Sequence, residues 1–169
     1  VFAGHDSMLS FNMEPDYIGN LSRVNTADGI VSANITFKEK PFGIAVDADG
    51  NAWATVQKTN EVAKLSGETL SVVGYYTVGE YPTGLAIDAL GKVWVSSRNS
   101  NRISRVNGAT GVVELNVTTG YLPSGVAADG LGNIWVNCYD AVSRVNALTG
   151  IVDANVTVPS QPTDGIAAD

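Results

Sequence analysis

One cysteine, one histidine and ten basic residues are all that this 169-residue chain offers to several common chemistries. The lone Cys138 excludes an internal disulfide and any cysteine-built metal cluster. A catalytic thiolate calls for a histidine partner, and the only histidine, His5, stands at the irregular N-terminal end. Cys138 therefore reads as a small buried residue near a strand end. Serine hydrolysis lacks a histidine-centred constellation for the same reason. Ten Lys plus Arg against seventeen Asp plus Glu leave a net charge of −7. Nucleic-acid binding rests on neutralising phosphates, so DNA and RNA are excluded as partners. No apolar run reaches the length of a bilayer-crossing helix, so no membrane span is expected.

What the chain has in abundance is order. The block Pro-x-Gly-hydrophobic-Ala-x-Asp recurs at Pro41–Asp47, Pro82–Asp88 and Pro123–Asp129, with the prolines 41 residues apart. A tryptophan follows each block at one offset: Trp53, Trp94 and Trp135. A fixed period of about 40 residues with short strands is the signature of a β-propeller or a related repeat array. In residues 82–122, an apolar run at 84–88 predicts an inner strand, and Val93-Trp94-Val95 a second. Arg102–Val106 predicts a third, and Val112–Thr118 a fourth after the Asn107–Gly111 turn. Four antiparallel strands make one blade. The third strand is marked by Arg23-Val24-Asn25, Lys64-Leu65-Ser66, Arg105-Val106-Asn107 and Arg144-Val145-Asn146. Gly29, Gly111 and Gly150 stand six residues beyond the basic residue, and Leu70 takes that place in the remaining unit. The fold class is thus all-β, a propeller-type array in one domain. Its units are 1–40 (partial), 41–81, 82–122, 123–161 and 162–169, the last a single inner strand.

The longer pattern Pro-x-Gly-hydrophobic-Ala-x-Asp-x-x-Gly-Asn-x-Trp, as in Pro41 to Trp53 and Pro123 to Trp135, resembles the virginiamycin B lyase-like and NHL-type propeller repeats. The resemblance covers about residues 20–169. It implies a scaffold of six or seven blades. It also implies a lyase site of histidines and a glutamate on the loops of one face, with a divalent cation. This chain has no second histidine, so the resemblance does not carry the lyase activity over. No catalytic residue, metal site or cofactor is expected. A cyclic-ester lyase or lactonase is the least favoured function.

The two ends complement each other. Residues 162–169 repeat an inner strand, and residues 1–40 read as a unit whose inner strand is missing. Three whole units and one composite make four. The last strand either closes a ring within the chain or completes the sheet of the next chain by strand addition, or the repeat simply continues in a longer protein. Self-association through the terminal strands is the expected partner relation.

Asn-x-Ser/Thr triplets begin at Asn20, Asn34, Asn116 and Asn155. The last three stand eleven residues after Arg23, Arg105 and Arg144, and Tyr75 holds that place in the other unit. Alternation puts Val31, Ala33 and Ile35, or Val113, Leu115 and Val117, on one face, and the asparagines on the other. The outermost strand can then carry covalent glycans, which shield an exposed edge. This predicts an extracellular or cell-surface protein. Asp47-Ala48-Asp49-Gly50-Asn51 looks like the start of a calcium loop, but Lys58 stands where the bidentate acid belongs. A tight turn explains it better. The tryptophans read as packing between blades. The loops before each proline and after each tryptophan strand collect Lys38, Glu39, Lys40, Glu80, Tyr81, Arg98, Asn99, Asn101, Tyr121, Tyr139 and Asp140. Tyr81, Tyr121, Tyr139, Arg98 and Asp140 form the candidate binding face, with Glu80 and Asp140 a conceivable acid pair. The leading expectation is a non-enzymatic, glycosylated structural or assembly module. A ligand-binding or sensor propeller is the second.

Overall fold

A computed structural model of the protein describes residues 7–13, 19–37, 39–158 and 165–168. Among the described residues, fifteen strands form four antiparallel sheets in chain order. The first sheet has three strands, β1 (Ser7–Met13), β2 (Gly19–Asn25) and β3 (Val31–Phe37). The second holds β4 (Pro41–Val46), β5 (Ala52–Val56), β6 (Glu61–Leu65) and β7 (Val72–Thr77). The third holds β8 (Pro82–Ile87), β9 (Lys92–Ser97), β10 (Arg102–Asn107) and β11 (Val113–Thr118). The fourth holds β12 (Val126–Ala128), β13 (Asn133–Asn137), β14 (Ala141–Asn146) and β15 (Val152–Thr157). This is an array of propeller blades, as the period predicts.

The core lies between sheets. Leu21 and Phe37 of the first pack on Ala54, Val56 and Leu65 of the second. Trp53 and Val62 of the second pack on Leu85, Val93, Val95 and Val106 of the third. Trp94 and Ile103 of the third pack on Ile134, Val136 and Val145 of the fourth. Among the described residues, no cluster joins the fourth sheet to the first.

The second, third and fourth sheets repeat one device. The aspartate that ends the Pro-x-Gly block turns its carboxylate under the indole, and Trp53, Trp94 and Trp135 donate Nε1–H to Asp47, Asp88 and Asp129 at 3.1, 2.9 and 2.9 Å. The same carboxylate accepts the N–H groups two and four residues on, at Leu90 and Lys92 or Leu131 and Asn133, which closes the turn. Directly across the ladder from each tryptophan stands Lys64, Arg105 or Arg144. Their charged groups lie 5.2, 5.7 and 5.8 Å from the ring centres, within cation–π range. Arg23, Lys64 and Arg105 then reach the next sheet and donate to Gly67, Gly108 and Ala147 carbonyls in its outer hairpin turn.

Two details depart from simple alternation. A β-bulge sits between each third and fourth strand, at Arg23/Val24, Lys64/Leu65, Arg105/Val106 and Arg144/Val145. It turns Val113 toward the preceding sheet, while Leu115 and Val117 face the following one. The expected single face of Val113, Leu115 and Val117 is therefore split, as is that of Val31, Ala33 and Ile35, because the extra residue shifts the pleat. Leu70 adopts the left-handed φ of 58° that Gly29, Gly111 and Gly150 supply in their hairpins, and its side chain is buried. Gly84 meets a different demand: a Cβ there would collide with the Ser124 carbonyl, to which its N–H donates at 2.7 Å. The motif glycine thus lets neighbouring inner strands touch.

Residues 165–168 form no strand in the described structure. Ile166, Ala167 and Ala168 lie beside Asp129, Leu131 and Trp135 of the fourth sheet. Among the described residues, no strand of 165–168 pairs with the first sheet. Residues 162–164 and 169 fall outside the described residues.

Trp94 is fully buried and Trp135 is only half-buried. Trp94→Ala is expected to lower stability by about 3–5 kcal/mol, and Trp135→Ala by distinctly less, as read by urea denaturation. Asp129 accepts from the Asn133 side chain, the Asn133 N–H, Trp135 and Leu131, and these bonds hold its carboxyl well below the usual carboxylate range. A depressed folded pKa gives stability that is present above the unfolded value of about 4 and lost as pH falls toward the folded value. The stability gap between wild type and Asp129→Asn is therefore expected to be wide at about pH 7 and to narrow at about pH 3.

Candidate functional site

The loops before each inner strand and after each second strand meet at one end of the sheets, since Pro82 pairs with Ser97 across the ladder. Asn60 and Asn101, 41 residues apart, anchor this end. Both take left-handed φ, 61° and 50°, which asparagine tolerates. The Asn60 Oδ1 accepts the Tyr81 N–H at 3.0 Å, and the Asn101 Oδ1 accepts the Leu122 N–H at 2.9 Å. Tyr81 and Leu122 are themselves left-handed, with φ of 56° and 48°. That conformation costs about 1–2 kcal/mol for such residues, so the asparagine straps hold a strained loop.

Tyr81 opens onto a cleft of about 420 Å³ lined also by Glu39, Lys40, Gln57, Lys58, Asn60, Glu80 and Asn99. Lys58 Nζ pairs with Glu39 Oε1 at 3.2 Å on one wall. The Ser100 hydroxyl accepts the Glu80 N–H at 2.7 Å, and the Glu80 carbonyl accepts the Asn99 N–H at 3.2 Å. Carboxylates, ammonium groups, amides and one exposed phenol ring give this cleft the chemistry to hold a polar, hydroxyl-rich molecule.

Of the expected binding face, Tyr81 lines this cleft. Arg98 opens a short 3₁₀ turn (Arg98–Ser100) and donates its N–H to the Tyr81 carbonyl at 3.0 Å. Tyr121 and Tyr139 pair separately, edge to face, with ring centres 5.9 Å apart and an interplanar angle of 80°. Asp140 accepts the Val158 N–H on its carbonyl and is not a cleft residue, so the cleft does not unite Glu80 with Asp140. Lys38 lies outside the described residues. Gln57, Lys58 and Asn60 were not anticipated as cleft residues. The repeat spacing of Asn60 and Asn101 was the available signal.

Cys138 is buried, with its Sγ 3.7 Å from the Ser143 hydroxyl, and burial pushes its thiol pKa up. Such a thiol is a poor nucleophile at neutral pH. Asp47 Oδ1 is occupied by the Asp49 and Asn51 N–H groups, as a turn requires. Among the described residues, the divalent cation implied by the resemblance finds no fitting donors. Among the described residues no three His, Cys, Asp or Glu side chains converge, and His5 lies outside them.

The asparagines of the triplets also separate. Asn34, Asn116 and Asn155 are exposed on the outermost strands β3, β11 and β15. Each accepts a hydrogen bond on Oδ1 from Ser22, Ser104 or Ser143 of the neighbouring strand, at 3.1, 2.7 and 3.2 Å. Nδ2, the atom to which an N-glycan is joined, takes no part in these bonds. Asn20 differs, being half-buried on the middle strand β2 with a buried, unpartnered Oδ1.

No family model and no curated protein sequence matches the chain. Solved structures do. A catalytically inactive virginiamycin B lyase from Staphylococcus aureus, solved with quinupristin, is 18% identical, with a TM-score of 0.74 over 98% of this chain and 61% of that one. The chain has a virginiamycin B lyase-like β-propeller fold. The propeller is also similar to hydrazine synthase from Kuenenia stuttgartiensis, at 16% identity and a TM-score of 0.78 over 94% of this chain and 51% of that one. A protein of unknown function from Bacteroides caccae is 13% identical, with a TM-score of 0.67 over 92% and 69% of the two chains. This propeller thus spans about half to two thirds of these structures. Likeness at such identity concerns the fold, and propellers host many unrelated functions.

Proposed function

We propose that this chain is a non-enzymatic, N-glycosylated propeller repeat protein of the extracellular space or cell surface, serving as a structural or assembly module. The observation that carries the reading is the register of Asn34, Asn116 and Asn155. Each is exposed at one position of an outer strand and held through Oδ1 with Nδ2 unengaged. Repetition alone would also copy the residue, but the fourth sequon, Asn20, lies at another repeat position. The single histidine supports a non-enzymatic role, since the resemblance implies a lyase site of several. Self-association through the chain ends completes the reading.

The mass of the protein from its natural source is expected to fall on enzymatic removal of N-glycans. Asn34, Asn116 and Asn155 are then expected to be converted to aspartate, and Asn20, half-buried, to stay unchanged. An unmodified mass would remove the glycoprotein reading.

A second reading rests on the cleft beneath Tyr81: a binding propeller for polar, hydroxyl-rich ligands. Aromatic rings with convergent polar groups are common in such sites. In a screen of soluble oligosaccharides, Tyr81→Ala is expected to weaken any ligand by about tenfold, or 1.4 kcal/mol, with the melting temperature little changed. If no oligosaccharide binds the wild type, this reading fails.

A further inference from the structure

We propose that the cleft at Tyr81 is one half of a longer site, and that its ligand is a neutral oligosaccharide chain that crosses Glu39 into a second cavity at Tyr75. The proposal deepens the binding reading given above and rests on it.

The second cavity has a volume of about 320 Å³ and lies where the first and second sheets meet. Phe37 and Val56 are its buried apolar lining, at 2 and 3% exposure. The exposed Thr36 and Thr59 and the half-buried Glu39 and Glu61 add hydroxyl and carboxylate groups. Tyr75, 48% exposed, adds an open phenol ring. A sugar ring asks for this combination. Its C–H face lies on aromatic or apolar surface, while its hydroxyls, which donate and accept, reach polar groups around the edge.

The two cavities are joined. Glu39 lines both of them. The loop between β5 and β6 runs between them, giving Gln57, Lys58 and Asn60 to the first and Thr59 to the second. A ligand that touches both Tyr81 and Tyr75 must therefore be extended. At about 420 and 320 Å³, each cavity alone stands near the small end of ligand sites, which span about 300–1,000 Å³. Charge favours a neutral chain. In the first cavity Lys40 and Lys58 are matched by Glu39 and Glu80, and Lys58 Nζ already pairs with Glu39 Oε1 at 3.2 Å.

The repeat shows that Tyr75 does not serve packing. In the first, third and fourth sheets the outer strand sets Asn34, Asn116 and Asn155 across the ladder from Ser22, Ser104 and Ser143. The second sheet sets Tyr75 across from Ala63, so both members of the pair differ. The adjacent Tyr76 packs toward the third sheet. Alternation then turns Tyr75 back toward the first sheet, over the cavity. The corresponding places at the next two junctions are filled. Arg102 stands 41 residues beyond Glu61, and its Nε, with the Ser97 side chain, lies against Gly79. Tyr121 and Tyr139 stand two periods beyond Glu39 and Gln57, and they meet edge to face. The second sheet thus departs from its repeat where the second cavity opens.

The test is isothermal titration calorimetry with neutral homo-oligosaccharides of glucose, mannose, galactose and xylose, each as disaccharide and hexasaccharide. For at least one sugar, the hexasaccharide is expected to bind about tenfold tighter than its disaccharide, the size of gain one aromatic contact supplies. Tyr75→Ala is expected to remove that gain and to leave the affinity for the disaccharide unchanged, which also shows that the variant is folded. Tyr75→Phe keeps the ring and is expected to keep the gain. Tyr81→Ala is expected to weaken both lengths. Equal affinity for the two lengths, or a gain that survives Tyr75→Ala, would overturn the two-cavity site and leave the Tyr81 cleft standing. A Tyr75→Ala variant that loses disaccharide and hexasaccharide alike would overturn it as well. If no probe binds the wild type, the two-cavity site and the binding reading beneath it fall together.

Discussion

An indole cannot be buried within a single antiparallel sheet, and the second, third and fourth sheets of this protein each place one on their second strand. The ring must therefore find its cover on the next sheet, and the chain supplies that sheet 41 residues later. The aspartate beneath satisfies the indole N–H, and the basic residue across the ladder lies over the ring and reaches the next hairpin. Hydrophobic burial gives the contact its strength, while the aspartate and the basic residue fix its geometry. Because the acid, the ring and the base all come from one sheet and the carbonyl from its neighbour, each sheet positions the one after it.

That constraint leaves the ends of the sheets free to vary. The inner strands approach so closely at Gly84 that little can change there. The loops at one end are under no such demand, yet two asparagine straps hold them in strained left-handed conformations. Strain kept by repeated hydrogen bonds is a reason to look for a ligand, and the cleft under Tyr81 lies beside one of these straps. The outer strands are freer still. There the sequence places an asparagine at the same exposed position in the first, third and fourth sheets, with the exposed Tyr75 in the second. Surface that carries no packing duty is where a repeat can record a modification or a partner.

Much of this was legible in the residues. The Pro-Gly-Asp-Trp beat predicted the inner and second strands, and Arg105-Val106-Asn107 and its counterparts marked the third, because a repeat states the same physical solution several times. The outermost strand was read less well. Alternation put Val113 with Leu115 and Val117, whereas the bulge beside Arg105 turns Val113 to the other side. A bulge is set by strand pairing and leaves little trace in a period-two pattern. Tyr81, Tyr121 and Tyr139 were expected on one binding face, and only side-chain packing shows that Tyr121 and Tyr139 meet edge to face while Tyr81 opens onto a cleft with Asn60 and Lys58.

Taken by itself, the sequence determined that this is an all-β repeat, what each unit contains, and which chemistries lack their reagents. Those are properties of residue types at fixed spacing, and local physics suffices for them. Only the tertiary structure decided which faces of the array are covered. Trp53, Trp94 and Trp135 are equivalent in sequence, and the first two are sealed while the third is half open. The difference lies in what stands next to each of them, since burial belongs to a pair of surfaces and never to one residue.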